Sequence, residues 1–279
     1  TTFRELVERH RVNPAVNNFD NIDPCHLDAN IRSADQLLCD CKLNKKKNAC
    51  GEDLVVPELL RTHAAVLSKR LMPLRLKLVL RIDPPLQWRG GMVSELFKNK
   101  GCSSVCSNYR DIMLADVSGK NLSKLLRYRL LPAARKYVVG TQFGAGMNCG
   151  DTGIAHVYLR CLVDLAEQWG ECVSLLFLDI VAAFASLLRK IVFDVEGGDE
   201  QWLIMLRNSG FSDEEISDIY STVCSSVWSL VEHNTVSVAL ATCMYQDTWA
   251  STEGVEGIIV TKSGCGAGTP LADLMYVVA

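Results

Sequence analysis

Sixteen consecutive residues, Val173 to Leu188 (VSLLFLDIVAAFASLL), carry a single charge, Asp179. A run this apolar predicts a buried strand over residues 174–179 that turns into a short helix. An unpaired carboxylate taken out of water costs several kcal/mol, so it shifts its pKa, finds a partner or binds a cation. Asp179 therefore reads either as a cap for the helix that follows or as a functional carboxylate at a strand end.

Size and charge narrow the classes. The 279 residues, 48% of them hydrophobic, suffice for one large domain or two smaller ones. No apolar run reaches the ~18 uncharged residues that a membrane span needs. The N-terminus TTFRELVERHRV is too charged for a secretory signal. The chain starts without Met and its last residues, MYVVA, read as the interior of an apolar helix, so the expectation is a portion of a longer polypeptide. Its twelve cysteines are scattered and mostly sit beside apolar residues, which predicts reduced, buried thiols in an intracellular protein of nucleus or cytoplasm. A zinc site from Cys25, His26, Cys39, Cys41 and Cys50 is the alternative, without the two-residue cysteine spacing of a zinc knuckle.

The net charge of -3 hides an asymmetry. Residues 61–140 hold 16 Lys/Arg against 4 Asp/Glu, a balance of +12, whereas residues 141–279 hold 5 against 18, a balance of -13. A basic segment followed by an acidic one suggests a surface for polyanions beside a region that holds cations.

Residues 1–50 read as an extension or linker with one or two short helices. Pro57 opens a helix through ELLRTHAAVLSKRL. Strand character follows around Met92 to Phe97 and again in CSNYRDIMLAD, and Ser118 is placed to cap the helix NLSKLLRYRLLPAARKYV. Asp151 or Thr152 heads a helix to Gln168, and Ser212 heads another whose first turn is acidic. Two strands are expected around Thr235 to Tyr245 and Val255 to Thr261, before the glycine-rich loop GCGAGTP and a last helix. Strands and helices mix without regular βαβ repetition, which indicates an α+β fold.

Four local signals occur in a set order: Lys98; Arg110 in Asn108-Tyr109-Arg110; Asp179 with Phe184 five residues later; and Gly264 to Leu271. In this order and at these intervals the chain resembles the reverse transcriptase domain of non-LTR retrotransposons. WRGGMVSELFKNKG, NYRDIML, GKNLSKLLRYRL and Gln142-Phe143-Gly144 resemble that family's fingers. FLDIVAAF resembles its first palm motif and GCGAGTPLADL its second. The likeness covers residues 51–279.

The resemblance implies a right-hand polymerase with fingers over residues 51–170 and an incomplete palm over 171–279, the thumb being absent. It implies template-directed deoxynucleotidyl transfer by two Mg²⁺, which stabilise the attacking and leaving oxygens. Asp179 would be the first metal-binding carboxylate and the Ile180 carbonyl a backbone ligand. Phe184 would lie under the incoming sugar and exclude a 2′-hydroxyl. Lys98 and Arg110 would grip the triphosphate. Gly264, Gly268 and Pro270 would shape the loop against the nascent pair and template. The partners implied are an RNA template, a DNA primer and deoxynucleoside triphosphates, with no membrane; the sequence points to no specific protein partner.

The chain departs from the family at four places. Ala185 stands where an Asp is usual, Ala267 where a Gln supports the nucleotide pocket, and Ala272 where a Ser is usual. The paired Asp-Asp of the third palm motif, which supplies the remaining metal ligands, occurs nowhere in residues 1–279. One carboxylate does not hold two cations, so residues 1–279 alone are not expected to polymerise. The alternatives are a non-catalytic nucleic-acid-binding module built on the basic block, and an inert relic of a retroelement.

Overall fold

The computed structural model describes residues 1–12, 41, 42, 44, 49–144, 152–180, 183–187, 189, 192, 199–223 and 235–278. Its architecture is α+β. The helices of the described residues are α1 (Phe3–Val12), α2 (Pro57–Thr62), α3 (Ala64–Arg81), α4 (Val117–Tyr137), α5 (Thr152–Trp169), α6 (Ala183–Ser186), α7 (Asp199–Asn208), α8 (Asp213–Val223), α9 (Thr235–Met244) and α10 (Ala272–Val278). Four strands, β1 (Gly91–Phe97), β2 (Tyr109–Leu114), β3 (Thr248–Thr252) and β4 (Ile259–Thr261), form one sheet in the order β2-β1-β3-β4.

β1 and β2 make an antiparallel hairpin, with Leu96 opposite Arg110 and Val93 opposite Met113. β1 also pairs in parallel with β3, Gly91 facing Ala250, so one sheet spans the expected boundary at residue 170. Gly90 permits that approach: a Cβ there would fall 2.1 Å from the Trp249 carbonyl oxygen. The Trp249 indole donates to the Leu86 carbonyl oxygen at 2.8 Å, satisfying the one polar atom of a fully buried side chain.

The core lies along α4. Leu122, Leu126, Leu130 and Ala134, spaced by four, are each at most 1% exposed and form one helical stripe. They pack in one cluster with Val236, Ala239, Leu240 and Cys243 of α9 and with Leu274 and Met275 of α10. Burying such side chains contributes roughly 1.5–3 kcal/mol each against leaving them exposed.

Helix α1 docks onto this body. Phe3 meets Trp249 edge-on with centroids 5.1 Å apart. His10 Nδ1 lies 2.9 Å from an Asp247 oxygen, and its Nε2 lies 3.4 Å from Asp83. The first twelve residues thus belong partly to the body rather than to a linker.

Three expectations are corrected. Residues 235–244 form a helix, not a strand. Val236, Ala239, Leu240, Ala241, Cys243 and Met244 are all buried, so this segment is apolar on every side and its periodicity carries no signal. Residues 174–179 are not a buried strand: 171–180 have no regular secondary structure, and Leu176, Phe177 and Leu178 are 80–83% exposed. A strand apolar on both faces needs a neighbour and cover on both sides, and among the described residues the sheet holds no strand paired with this segment. Helix α4 starts at Val117 with Asp116 at the N-cap, which puts Ser118 inside the first turn. By contrast, Ser212 caps α8 as expected: the Glu215 N–H donates to Ser212 Oγ and the Ser212 N–H to Glu215, a reciprocal capping box. Among the described residues no helix is long and apolar enough to cross a membrane.

Candidate functional site

Segments far apart in sequence close around one cavity of about 410 Å³. Val93, Asp111 and Met113 of the hairpin form one wall, Phe184 and Ala185 of α6 a second, and residues 259–271 a third. The floor includes Trp88 and Tyr245.

Backbone bonds fix the walls. The Met113 N–H donates to the Ala267 carbonyl oxygen at 2.8 Å, joining the edge of β2 to the glycine-rich loop. The Cys265 N–H donates to the Phe184 carbonyl oxygen at 2.9 Å, and the Gly264 N–H to Leu187 at 2.8 Å, joining that loop to α6. Gly264 has φ +79°, a conformation that L side chains rarely adopt, and a Cβ there would meet the Ala185 oxygen at 2.9 Å. Gly268, φ +97°, sits against Ile112 and the Met113 carbonyl. Pro270 and Phe184 also line a second pocket, with Gly268, Arg127 and Asp273. The Phe184 ring lies 5.4 Å from that of Tyr276.

Arg189 organises the third wall. It is 5% exposed, and its five N–H donors are all used. Nε donates to the Gly264 carbonyl (2.8 Å), one terminal nitrogen to Tyr245 (3.1 Å) and Thr261 (2.9 Å), and the other to Thr261 Oγ1 (3.0 Å) and Ser263 (2.8 Å). Burial, the dominant cause, pushes its guanidinium down to about 10, so it remains a cation at neutral pH. The same burial pushes the Cys265 thiol up to about 12 and raises Tyr245 well above its usual range. Both stay protonated and act as packing groups.

Arg89 is committed in the same way, to Asp83 and to the carbonyls of Pro84 and Gln246. The remaining cations around the cavity are Lys120 and Lys262. Lys120 reaches the Ala49 carbonyl at 3.4 Å; burial first and Lys124 second lower its pKa. Lys262 is exposed on the rim. Asp111 is the acidic residue of the lining.

The sequence-derived residues divide into three groups. Phe184, Gly264, Gly268 and Pro270 come together as described. Lys98 and Arg110 lie on the hairpin, but side chains alternate across a strand. Val93, Asp111 and Met113 face the cavity, which leaves Leu96, Lys98 and Arg110 on the opposite face. Lys98 follows β1 and donates from Nζ to the Ser107 carbonyl oxygen at 2.7 Å, on the exposed side of the loop. Asp179 and Ile180 belong to the exposed segment 171–180. Among the described residues no three His, Cys, Asp or Glu side chains gather to hold a metal. Asp179 alone does not fit a centre of two Mg²⁺ ions. Of the zinc alternative, Cys25, His26 and Cys39 lie outside the described residues; Cys41 is buried and Cys50 half-buried.

Asp111, Lys120, Arg189 and Lys262 were not singled out from sequence. Asp111 adjoins Arg110 and differs from it only in facing the other way. Arg189 closes the apolar run at 173–188, and a cation at that point signals a buried clamp as readily as a solvated side chain.

No protein-family model matches the chain, and no curated protein matches it.

Proposed function

We propose that the chain is the nucleotide- and template-facing part of an RNA-directed DNA polymerase of the reverse transcriptase type, comprising fingers and part of a palm. One observation carries this reading. The hairpin β1–β2, the turn at Phe184 and the loop Gly264–Pro270, 80 to 150 residues apart in sequence, join by direct backbone bonds around one cavity. Those segments carry part of the family likeness, and their meeting around one cavity supports the reading; Asp179, which carries another part, lies outside that cavity. Buried Arg189 holds the loop, the glycines keep its backbone close to the hairpin, and Lys120 and Lys262 supply positive charge for phosphate. On the hairpin's other face, Lys98 and Arg110, two of the cations of the basic segment 61–140, are offered to a template backbone.

A second reading is favoured by the isolation of Asp179: the same surface binds nucleic acid without catalysing transfer. The two readings separate in one experiment. Primer extension on an RNA template with Mg²⁺ and deoxynucleotides is run with the protein of the full reading frame and its Asp179→Ala variant. Extension abolished by Asp179→Ala supports the polymerase reading. Binding of template–primer without extension, unchanged in Asp179→Ala, supports the binding module. Neither binding nor extension refutes both.

A further inference from the structure

Asp116, between β2 and α4, is 3% exposed, and its Oδ2 is buried with no hydrogen-bond partner. A buried carboxylate oxygen without a donor is costly and calls for an explanation. Segment 49–56 presses against it: a Cβ on Gly51 would fall 2.2 Å from Asp116 Oδ1. The Asp53 N–H reaches that Oδ1 at 3.5 Å, and the charge of the Asp53 carboxylate bears on the Asp116 carboxyl.

The charged and titratable groups around the pair are few. Lys120 and Lys124 lie on α4 and Cys50 on the segment itself. Lys120 gives its Nζ to the Ala49 carbonyl rather than to either carboxylate. Arg75 of α3 donates to the Ser118 carbonyl, and Gln87 adds a neutral side-chain bond to Asp116. Glu52 turns away to the Ser251 hydroxyl. Two carboxylates thus share one site joined through the Asp53 N–H, and Asp116 Oδ2 accepts from none of these cations.

We propose that Asp53 and Asp116 are a proton-binding latch. A proton on Asp116 becomes a hydrogen bond to the Asp53 carboxylate and holds segment 49–56 against the start of α4; its loss leaves two repelling anions and releases the segment. Burial first, and the Asp53 charge second, push the Asp116 carboxyl from 3.8 up to about 6. Because the folded value is the higher one, the folded state binds the proton more tightly. The latch is therefore closed below about pH 6 and opens as pH rises through that value. Asp116 adjoins Ala115, and Gly119, Lys120 and Ser123 on the next turn line the cavity, so opening also frees the Ala49 carbonyl from Lys120.

The test is amide hydrogen exchange of residues 53–55 at pH 5 and pH 7.5, corrected for intrinsic rates, with the α9 amides as the folding control. In the wild-type chain, protection should fall about tenfold between the two pH values. Asp116→Asn, whose amide donates to Asp53 without titrating, should keep protection at both. Asp53→Asn, which donates to Asp116 from the other side, should do the same. Wild-type protection independent of pH, or either Asn variant losing protection on the wild-type profile, would overturn the latch. Should one variant fail to protect α9, the other and the wild-type profile still decide.

Discussion

Replacing Arg189 by Met removes the clamp on the glycine-rich loop, the end of β4 and Tyr245 just after α9 while keeping an unbranched side chain of similar length. Five hydrogen bonds are lost, four of them to main-chain carbonyls and one to a hydroxyl. At about 1.5 kcal/mol for each bond from a charged donor, the gross loss is about 7 kcal/mol. Burial opposes this: the net fall of the guanidinium from 12.5 to about 10, after Tyr245 and Cys265 offset part of the desolvation, corresponds to about 3 kcal/mol against the charged form that the Met variant recovers. The expected net destabilisation is about 4 kcal/mol, well above the ~1 kcal/mol of an average substitution. Urea titration followed by circular dichroism at pH 7 measures it, and limited proteolysis within residues 261–271 reports where the loosening occurs. A Met variant within 0.5 kcal/mol of wild type, with the loop no more cleavable, would refute the argument that these bonds outweigh the cost of burying the charge.

Gly264→Ala should cost about 2–3 kcal/mol, since φ +79° is compounded by a Cβ 2.9 Å from the Ala185 oxygen; Gly254→Ala, at φ +80° with nothing within 4 Å, should cost only about 1 kcal/mol. Paired urea titrations give the difference directly, and equal costs would mean that the loop does not bear on α6. The Arg127–Asp273 ion pair, 25% and 42% exposed at its two side chains, should show a coupling below about 1 kcal/mol in a double-mutant thermal cycle, shrinking further in 0.5 M salt. Asp179→Ala should leave stability within 0.5 kcal/mol of wild type, because the side chain is exposed; a larger loss would show that 171–180 is held in place.

Some of this architecture was open to reading from sequence because the signal was local. The hairpin declared itself through strand-forming residues around a polar turn, and α4 through Leu122, Leu126 and Leu130 at helical spacing. Gly264 and Gly268 marked a glycine-rich loop, and of the ordered signals Lys98, Arg110, Asp179 with Phe184, and that loop, the segments of all but Asp179 converge. What failed depended on tertiary context. An all-apolar segment buried on every side, such as 235–244, does not reveal its period, whereas a segment of the same character at 174–179 is left outside the sheet. The facing of Asp111 rather than Arg110 into the cavity depends on hairpin register, which one residue inverts. The Asp53–Asp116 contact joins positions 63 residues apart, and no local pattern announces it.

The central claim is that the basic surface and the cavity belong to a template-binding polymerase half. The most direct measurement is fluorescence anisotropy of a labelled RNA template–DNA primer titrated with residues 1–279, from 50 to 300 mM salt. The expected result is binding whose affinity falls linearly in log–log with salt, with Lys98→Ala/Arg110→Ala weakening it at least tenfold and flattening the slope by about two contacts. Absence of binding at 50 mM salt, or binding indifferent to both salt and the double substitution, would contradict it.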